Sequence, residues 1–278
     1  MSRDNTQELI KKLEELREST IISMIYSKNA EMNEEDIEIL YDVLIKTLGS
    51  RSKELERIEL ILHSIGGDAN AAYSLVRLLR RHAKEFNVLI PREAKSAATL
   101  VALGSDKIYL SEIAELGPID PIVSHPIMPR LLIPARAVQI FLEEVLPTLI
   151  ERYRSEVTEY FLKIDYTHVG FCRSAIEVSR EYAKRLLCQY HLKTKKGNLE
   201  EEANRIINDL ISYPAHDFVI DYEEAKRLGL NVELLDEEEE KVLWNLYQEY
   251  MRKLNTTVLI VESSKYSRSI TRPKFTIW

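Results

Sequence analysis

Two short stretches of this 278-residue chain combine a turn with groups able to act on a polar substrate. Gly66-Gly67 lies between an apolar run, Arg57 to His63, and a helical pattern that begins near Ala69. Glycines at such a junction let backbone N–H groups approach a ligand closely, at the positive end of a helix. The pair also reads simply as a tight turn, and it lacks both the Rossmann spacing and a Walker lysine. Ser96 follows the short apolar run Asn87 to Pro91 and precedes Ala97-Ala98-Thr99. A serine on a strand-to-helix turn presents its hydroxyl beside a helix N-terminus, and small neighbours admit a substrate. The plain alternative is a helix N-cap, a position that serine favours. Together the two stretches sit at the carboxyl ends of neighbouring strands, the usual place for an α/β active site. One brings donors and the other a hydroxyl.

The elements that must hold them follow from periodicity. Leu9, Leu13 and Leu16 predict a helix over residues 4–18. Thr20 to Tyr26 is a β-rich run, and Asn33 with the acids after it predicts a helix start that Gly49 stops. Arg57 to His63 reads as a buried strand, then a helix over residues 69–86 and a strand over 87–91. Lys95 to Gly104 has helical length, and Lys107 to Leu110 is a further strand. Residues 20–120 thus alternate strand and helix, which predicts parallel βα architecture. Five of the nine prolines fall within residues 117–134, an irregular constrained loop. Residues 135–196 are helical in pattern, with a break near Asp165–Phe171. Further helices are expected over 199–211, 221–229 and 236–254, then a strand over 256–261 and a polar tail from Ser263.

Composition excludes several classes. Hydrophobic residues are 45% and charged residues 30%, the profile of a folded water-soluble chain rather than a disordered or collagenous one. The net charge of -7 argues against nucleic acid, whose phosphates select a basic face. Two cysteines, Cys172 and Cys188, are too few for a disulfide framework or a four-ligand zinc site, and they suit a reducing compartment. The first residues lack the apolar core of a secretory signal, and no apolar stretch approaches 18 residues. The expected location is cytoplasmic, with no cofactor.

SIGGD, followed about thirty residues on by AKSAATLVALGSDKIYLSEIAELGPIDPI, resembles the ClpP/crotonase superfamily. The second block is similar to the serine segment of SppA-type signal peptide peptidases. Further on, HDFVIDYEEAKRLGLNV resembles a segment near the end of ClpP. The chain is best matched to the serine dehydrogenase proteinase family, the SppA-like group with a Clp fold, over roughly residues 20–235. The resemblance implies an α/β fold of ClpP/crotonase-type stacked ββα units with a helical C-terminal region. It divides the chain into an N-terminal helix (1–19), a peptidase domain (20–235), and a C-terminal helix and tail (236–278).

The activity implied is serine peptidase, ATP-independent in itself because the chain has no Walker motif. Ser96 falls at the nucleophile position, and Gly67 and Ala97 at the positions whose N–H groups form the oxyanion hole. The histidine slot that ClpP has about 25 residues after its serine is here Gly117-Pro118-Ile119-Asp120-Pro121 and holds no histidine. His216 is the assigned base, with Asp120 or Asp217 as its orienting carboxylate. His125 and a lysine remain alternatives. SppA relatives use a lysine; Lys95 adjoins the serine, where neighbouring side chains diverge, and Lys163 lies farther along.

The remaining histidines read as structural. His63 ends a strand and packs there, while His82, His168 and His191 are expected at the surface or partly packed. The tail aromatics Tyr266, Phe275 and Trp278 could dock on a neighbouring subunit. The implied partners are a protein or peptide substrate and a homo-oligomer, trimer or higher, with membrane association at most peripheral. Two other readings stay open. One is a Clp-fold scaffold that has lost its base; the other is a crotonase-like acyl-CoA enzyme using the same oxyanion hole.

Overall fold

Parallel strands covered on both faces read as near-continuous apolar runs; TIISMIY, LERIELILH, AKEFNVLI and KIYL are of this kind chiefly toward their carboxyl ends, with Ser23, Glu59 and Asn87 as buried polar exceptions. In the computed structural model, which describes residues 5–49, 54–125, 128, 130–153, 166–255 and 257–271, they form β1 (Thr20–Tyr26), β2 (Leu55–His63), β3 (Ala83–Ile90) and β5 (Lys107–Leu110). These four lie parallel and in that order. β9 (Val232–Leu234) is parallel beyond β5, and β10 (Leu259–Ser263) is antiparallel beside β1, with β11 (Ser267–Ile270) outside it. The fold is mixed α/β, as expected.

Register sorts the side chains onto two faces, because successive residues of a strand point opposite ways. Ile22 pairs with Leu60, Leu60 with Val88, and Val88 with Ile108. This row packs against the crossover helices α2 (Glu35–Leu48), α3 (Ala69–Arg80) and α4 (Ala97–Leu103). The opposite row, Ile21, Ile25, Ile61 and Leu89, packs with Ile10 and Leu13 of α1 (Asn5–Arg17). Leu243, Leu246 and Tyr250 of the C-terminal helix α10 (Glu237–Lys253) complete that second core. Between them come α5 (Ala135–Ile140), a π turn (Phe141–Val145) and α6 (Leu146–Arg152). Then follow α7 (Tyr166–Leu186) with a π turn (Leu187–His191), α8 (Leu199–Ser212) and α9 (Tyr222–Arg227). Among the described residues no helix is long and apolar enough to cross a membrane.

A second, shorter layer begins where the main strands end. β4 (Glu93–Ala94) pairs with β6 (Glu115–Leu116), Ser64 bridges Ala94 on one side, and Leu116 bridges Ile220 on the other. Four backbone segments thereby run side by side past the carboxyl ends of β2, β3 and β5.

Several expectations shift. The helix after Gly67 stops at Arg80, and β3 starts at Ala83, because the stretch through Ala83 and Glu85 pairs with Leu55 and Arg57. That pairing overrides the helix propensity of Ala-Lys-Glu. The proline-rich loop contains a hairpin of β7 (Ile122–Ser124) and β8 (Leu132–Pro134). Of the break expected near Asp165–Phe171, residues 166–171 are helical and Asp165 lies outside the described residues. The polar tail holds β11, whose exposed residues hide the strand because only one of its neighbours is a strand. Asn33 does cap: its Oδ1 accepts from the Glu35 N–H at 3.0 Å. Of the tail aromatics, the Tyr266 hydroxyl reaches Asp42, while Phe275 and Trp278 lie outside the described residues.

His191 is not at the surface. It is 2% exposed, and its Nδ1–H donates to the Ser105 carbonyl while Nε2 accepts from the Asn231 N–H, both at 2.9 Å. This arrangement requires the neutral ring. Burial lowers its pKa to about 4 from the usual 6.5, and burial lowers that of His63 likewise to about 4. A histidine whose folded pKa is depressed binds its proton more readily unfolded. Stability should therefore be full above the unfolded value and fall as pH drops from 6.5 toward 4. Each ring contributes a slope of up to about 1.4 kcal/mol per pH unit. Urea denaturation across that range measures it, and His191→Gln should flatten the slope.

Candidate active site

The short layer places each candidate residue one or a few positions beyond one of its strands. Gly66-Gly67 follows Ser64, Ser96 follows Ala94, Asp120 follows Leu116, and His216 precedes Ile220. Ser96 occupies φ 51°, ψ -117°, a region that non-glycine residues rarely adopt. Such strain costs on the order of 1–3 kcal/mol and persists only where the surroundings impose it. Gly66, whose own φ is 113°, packs directly against this elbow. A Cβ there would stand 2.7 Å from the Ser96 Cβ and 2.9 Å from the Lys95 carbonyl oxygen. Although Ser96 precedes α4, its hydroxyl makes no capping bond. The N-cap alternative is therefore not how the side chain is used.

Gly67 has φ 141°, and a Cβ there would collide with the backbone of Met32. Met32 N–H donates to the Gly66 carbonyl at 2.8 Å, and the Asp68 N–H donates to the Met32 carbonyl at 2.9 Å. These bonds fix the Gly67 peptide without using its own N–H. Ala97 opens α4, so its N–H has no partner within the helix. Among the described residues neither N–H meets a protein acceptor.

His216 Nδ1 lies 2.9 Å from Asp120 Oδ1. Asp120 is 4% exposed, and its carboxylate accepts the Nδ1 proton, which leaves Nε2 as the free basic nitrogen. The two expected carboxylates thus separate. Asp120 holds the imidazole, while Asp217 is an exposed residue at the wall of the same cavity. That cavity, about 880 Å³, is bordered by Gly67, Ser96, Ala97, His216 and Asp217 together. Its apolar wall includes Leu100, Ile119 and Phe171. Among the described residues no hydrogen bond joins Ser96 to His216.

The other base candidates sort clearly. Lys95 turns away from the serine's hydroxyl, with its Nζ 3.0 Å from Glu115 Oε1 and 3.1 Å from the Leu116 carbonyl oxygen. His125 Nδ1 accepts the Met128 N–H at 3.2 Å on the hairpin, and it does not border the cavity. His63 is buried edge-on against Tyr247. Lys163 lies outside the described residues. Among the described residues no group of three or more His, Cys, Asp or Glu is arranged to hold a metal ion. Cys172 is buried and Cys188 half-buried, both free thiols away from this cavity.

The elbow serine, the glycine turn and the aspartate fall within one stretch of sequence that has relatives. Residues 2–134 match the model of the ClpP-like SDH-type serine proteinase family. Over this segment, a little under half of the chain, the expected resemblance to ClpP-like proteins is borne out. His216 and Asp217 lie beyond the matched segment. Two uncharacterized proteins of Methanocaldococcus jannaschii are each 28% identical to this chain. One aligns over 259 residues, covering 89% of this chain and 80% of its own. The other aligns over 176 residues, 63% of this chain and 51% of its own, so the chain spans about half of that relative. Among solved structures, a mutant of a membrane-bound stomatin-specific protease is 18% identical, with 81% of both chains covered and a TM-score of 0.43. A mutant of ClpP1 from Listeria monocytogenes is 14% identical, covering 84% of this chain and 98% of its own, with a TM-score of 0.44.

The glycine turn yields a stability prediction with an internal control. Gly67→Ala combines a positive φ with a backbone collision, and it should cost at least about 1–3 kcal/mol. Gly170 sits within α7 with open space where a Cβ would go, so Gly170→Ala should be neutral or stabilise by up to about 1 kcal/mol. Thermal denaturation of the two variants beside the parent checks both signs.

Proposed function

We propose that this chain is a serine endopeptidase that hydrolyses peptide bonds through an acyl-enzyme on Ser96, without ATP of its own. One observation carries the reading. A strained serine with an uncommitted hydroxyl shares a cavity with a histidine whose far nitrogen is held by a buried aspartate. In the first step Ser96 Oγ attacks the scissile carbonyl carbon as His216 Nε2 takes its proton. Asp120 keeps the imidazole in the productive tautomer and stabilises the imidazolium. The Gly67 and Ala97 N–H groups receive the developing oxyanion; losing one such donor costs about 10²–10³ in rate. Collapse breaks the C–N bond as the imidazolium returns the proton to the leaving amine. Water, deprotonated by the same imidazole, then attacks the acyl carbon, and the imidazolium returns that proton to Ser96 Oγ as the ester bond breaks.

The substrate class is protein or peptide, in keeping with the net charge of -7 and the partly apolar cavity wall. Assembly into a trimer or larger homo-oligomer, in the cytoplasm, belongs to the same reading. Exposed Leu131, Leu132, Phe141 and Val145 support self-association. The same reading divides the chain into an N-terminal helix (1–19), a peptidase domain (20–235), and a C-terminal helix and tail (236–278). A second reading, a catalytically silent Clp-fold scaffold, draws on the missing hydrogen bond between Ser96 and His216. Catalytic hydrogen bonds often tighten only once substrate is bound, so the peptidase reading stands first.

Fluorophosphonate labelling with peptide mapping tests it. The adduct should map to Ser96 and vanish in Ser96→Ala. His216→Ala should slow labelling at least about 10³-fold, and Asp120→Asn on the order of 10⁴-fold through the wrong tautomer, while Asp217→Asn stays within a few-fold of the parent. Absence of labelling and of casein cleavage by folded, assembled protein would select the scaffold.

A further inference from the structure

Lys95 is 7% exposed, an unusual place for a lysine, and its contacts reach each segment that bears a residue of the proposed triad. Its main chain fixes the elbow: the Lys95 N–H donates to the Ser64 carbonyl at 3.0 Å, and its carbonyl accepts from the Ala98 N–H at 2.8 Å. Its side chain crosses the short layer. The ammonium donates to the Leu116 carbonyl at 3.1 Å and pairs with Glu115 at 3.0 Å. Four residues past Leu116 is Asp120. A longer contact, 3.5 Å, reaches the carbonyl of Phe218, two residues past His216. The stem passes over Gly117, where a Cβ would stand 2.6 Å from the Lys95 Cδ. Three donor directions of one ammonium are thus directed at the strand leading to the acid and at the loop carrying the base.

We infer that Lys95 is a positioning residue for the serine-peptidase site, its ammonium holding the Asp120 and His216 segments in register with the Ser96 elbow. The inference rests on the peptidase reading above. A hydroxyl in the Ser96 position is useful only if His216 stands opposite it, and a 1 Å misplacement costs about 10²-fold in rate. The ammonium works as a charged hydrogen-bond donor. Its three partners, the Leu116 and Phe218 carbonyls and the Glu115 carboxylate, are all acceptors, which suits a holding role.

The experiment compares the parent with Lys95→Met and Lys95→Arg. It reads the rate of Ser96 labelling per folded molecule, kcat and KM on a peptide substrate, and the pH profile. Lys95→Met should lose about 10²-fold in labelling and in kcat with KM within about twofold. The acidic limb of its profile should stay where the parent has it, because the base is unchanged. Lys95→Arg keeps charged donors for the same acceptors and should recover to within about tenfold of the parent. Should Lys95→Met fail to fold, Lys95→Gln, which keeps a donor without the charge, supplies the same comparison. Parent-like labelling per folded Lys95→Met, with only the melting temperature lowered, would overturn the inference. An inert Lys95→Arg in folded protein would overturn it too, in favour of lysine as base. A parent that neither labels at Ser96 nor cleaves peptide would instead remove the peptidase reading itself.

Discussion

Everything at the candidate site depends on backbone hydrogen bonds made beyond the end of the main sheet. Ser64, Ala94, Leu116 and Ile220 join edge to edge in a layer only a residue or two deep. The layer is short, so it leaves a chain free to turn at each of its rims. The chain turns there four times, into the glycine pair, the serine elbow, the Asp120 loop and the His216 loop. Each functional group is then within a few covalent bonds of a fixed carbonyl or N–H. Rigidity of that kind is what a site with a tolerance near 0.5 Å requires.

The strain at Ser96 is balanced locally. Thr99 donates its hydroxyl proton toward the carbonyls of Ala94 and Gly117, at 2.8 and 2.9 Å, and its oxygen accepts the Gly117 N–H at 3.2 Å. One buried side chain thereby ties the helix that follows the serine to the strands on either side of it. Gly66 approaches the elbow closely because it carries no Cβ, and Ala97 and Ala98 in the first turn of α4 are small and buried. A second buried polar cluster does comparable work on the other face. Arg17 spans Glu59 and Glu239, which fastens α1 and α10 to β2.

Much of this was legible because it is local. Strand, glycine turn, helix, strand and serine follow one another within forty residues, and apolar period and turn residues mark each. The Asp120 to His216 pair is of another kind. The two residues are 96 positions apart, and no period links them. The bridge between Leu116 and Ile220 brings the two segments together, and Asp120 rather than the adjacent Asp217 meets the imidazole. The same holds for His191, whose burial follows from a carbonyl on one loop and an N–H on another. Lys95 was readable as a neighbour of the serine, but its direction was set by Glu115 and Leu116, which pairing rather than sequence brings close. The start of β3 is hidden in the sequence because its first residues favour helix until β2 is beside them.

The separation of Asp120 from His216 has a temporal meaning. Ribosomes extend a chain at about 5–20 residues per second, so the intervening 96 residues take roughly 5–20 s to appear. Throughout that interval the serine elbow, the glycine turn and the aspartate can already have assembled on β1, β2, β3 and β5. The imidazole is still being made. On the proposed reading, Ser96 is therefore synthesised and can be placed before the residue assigned as its base exists.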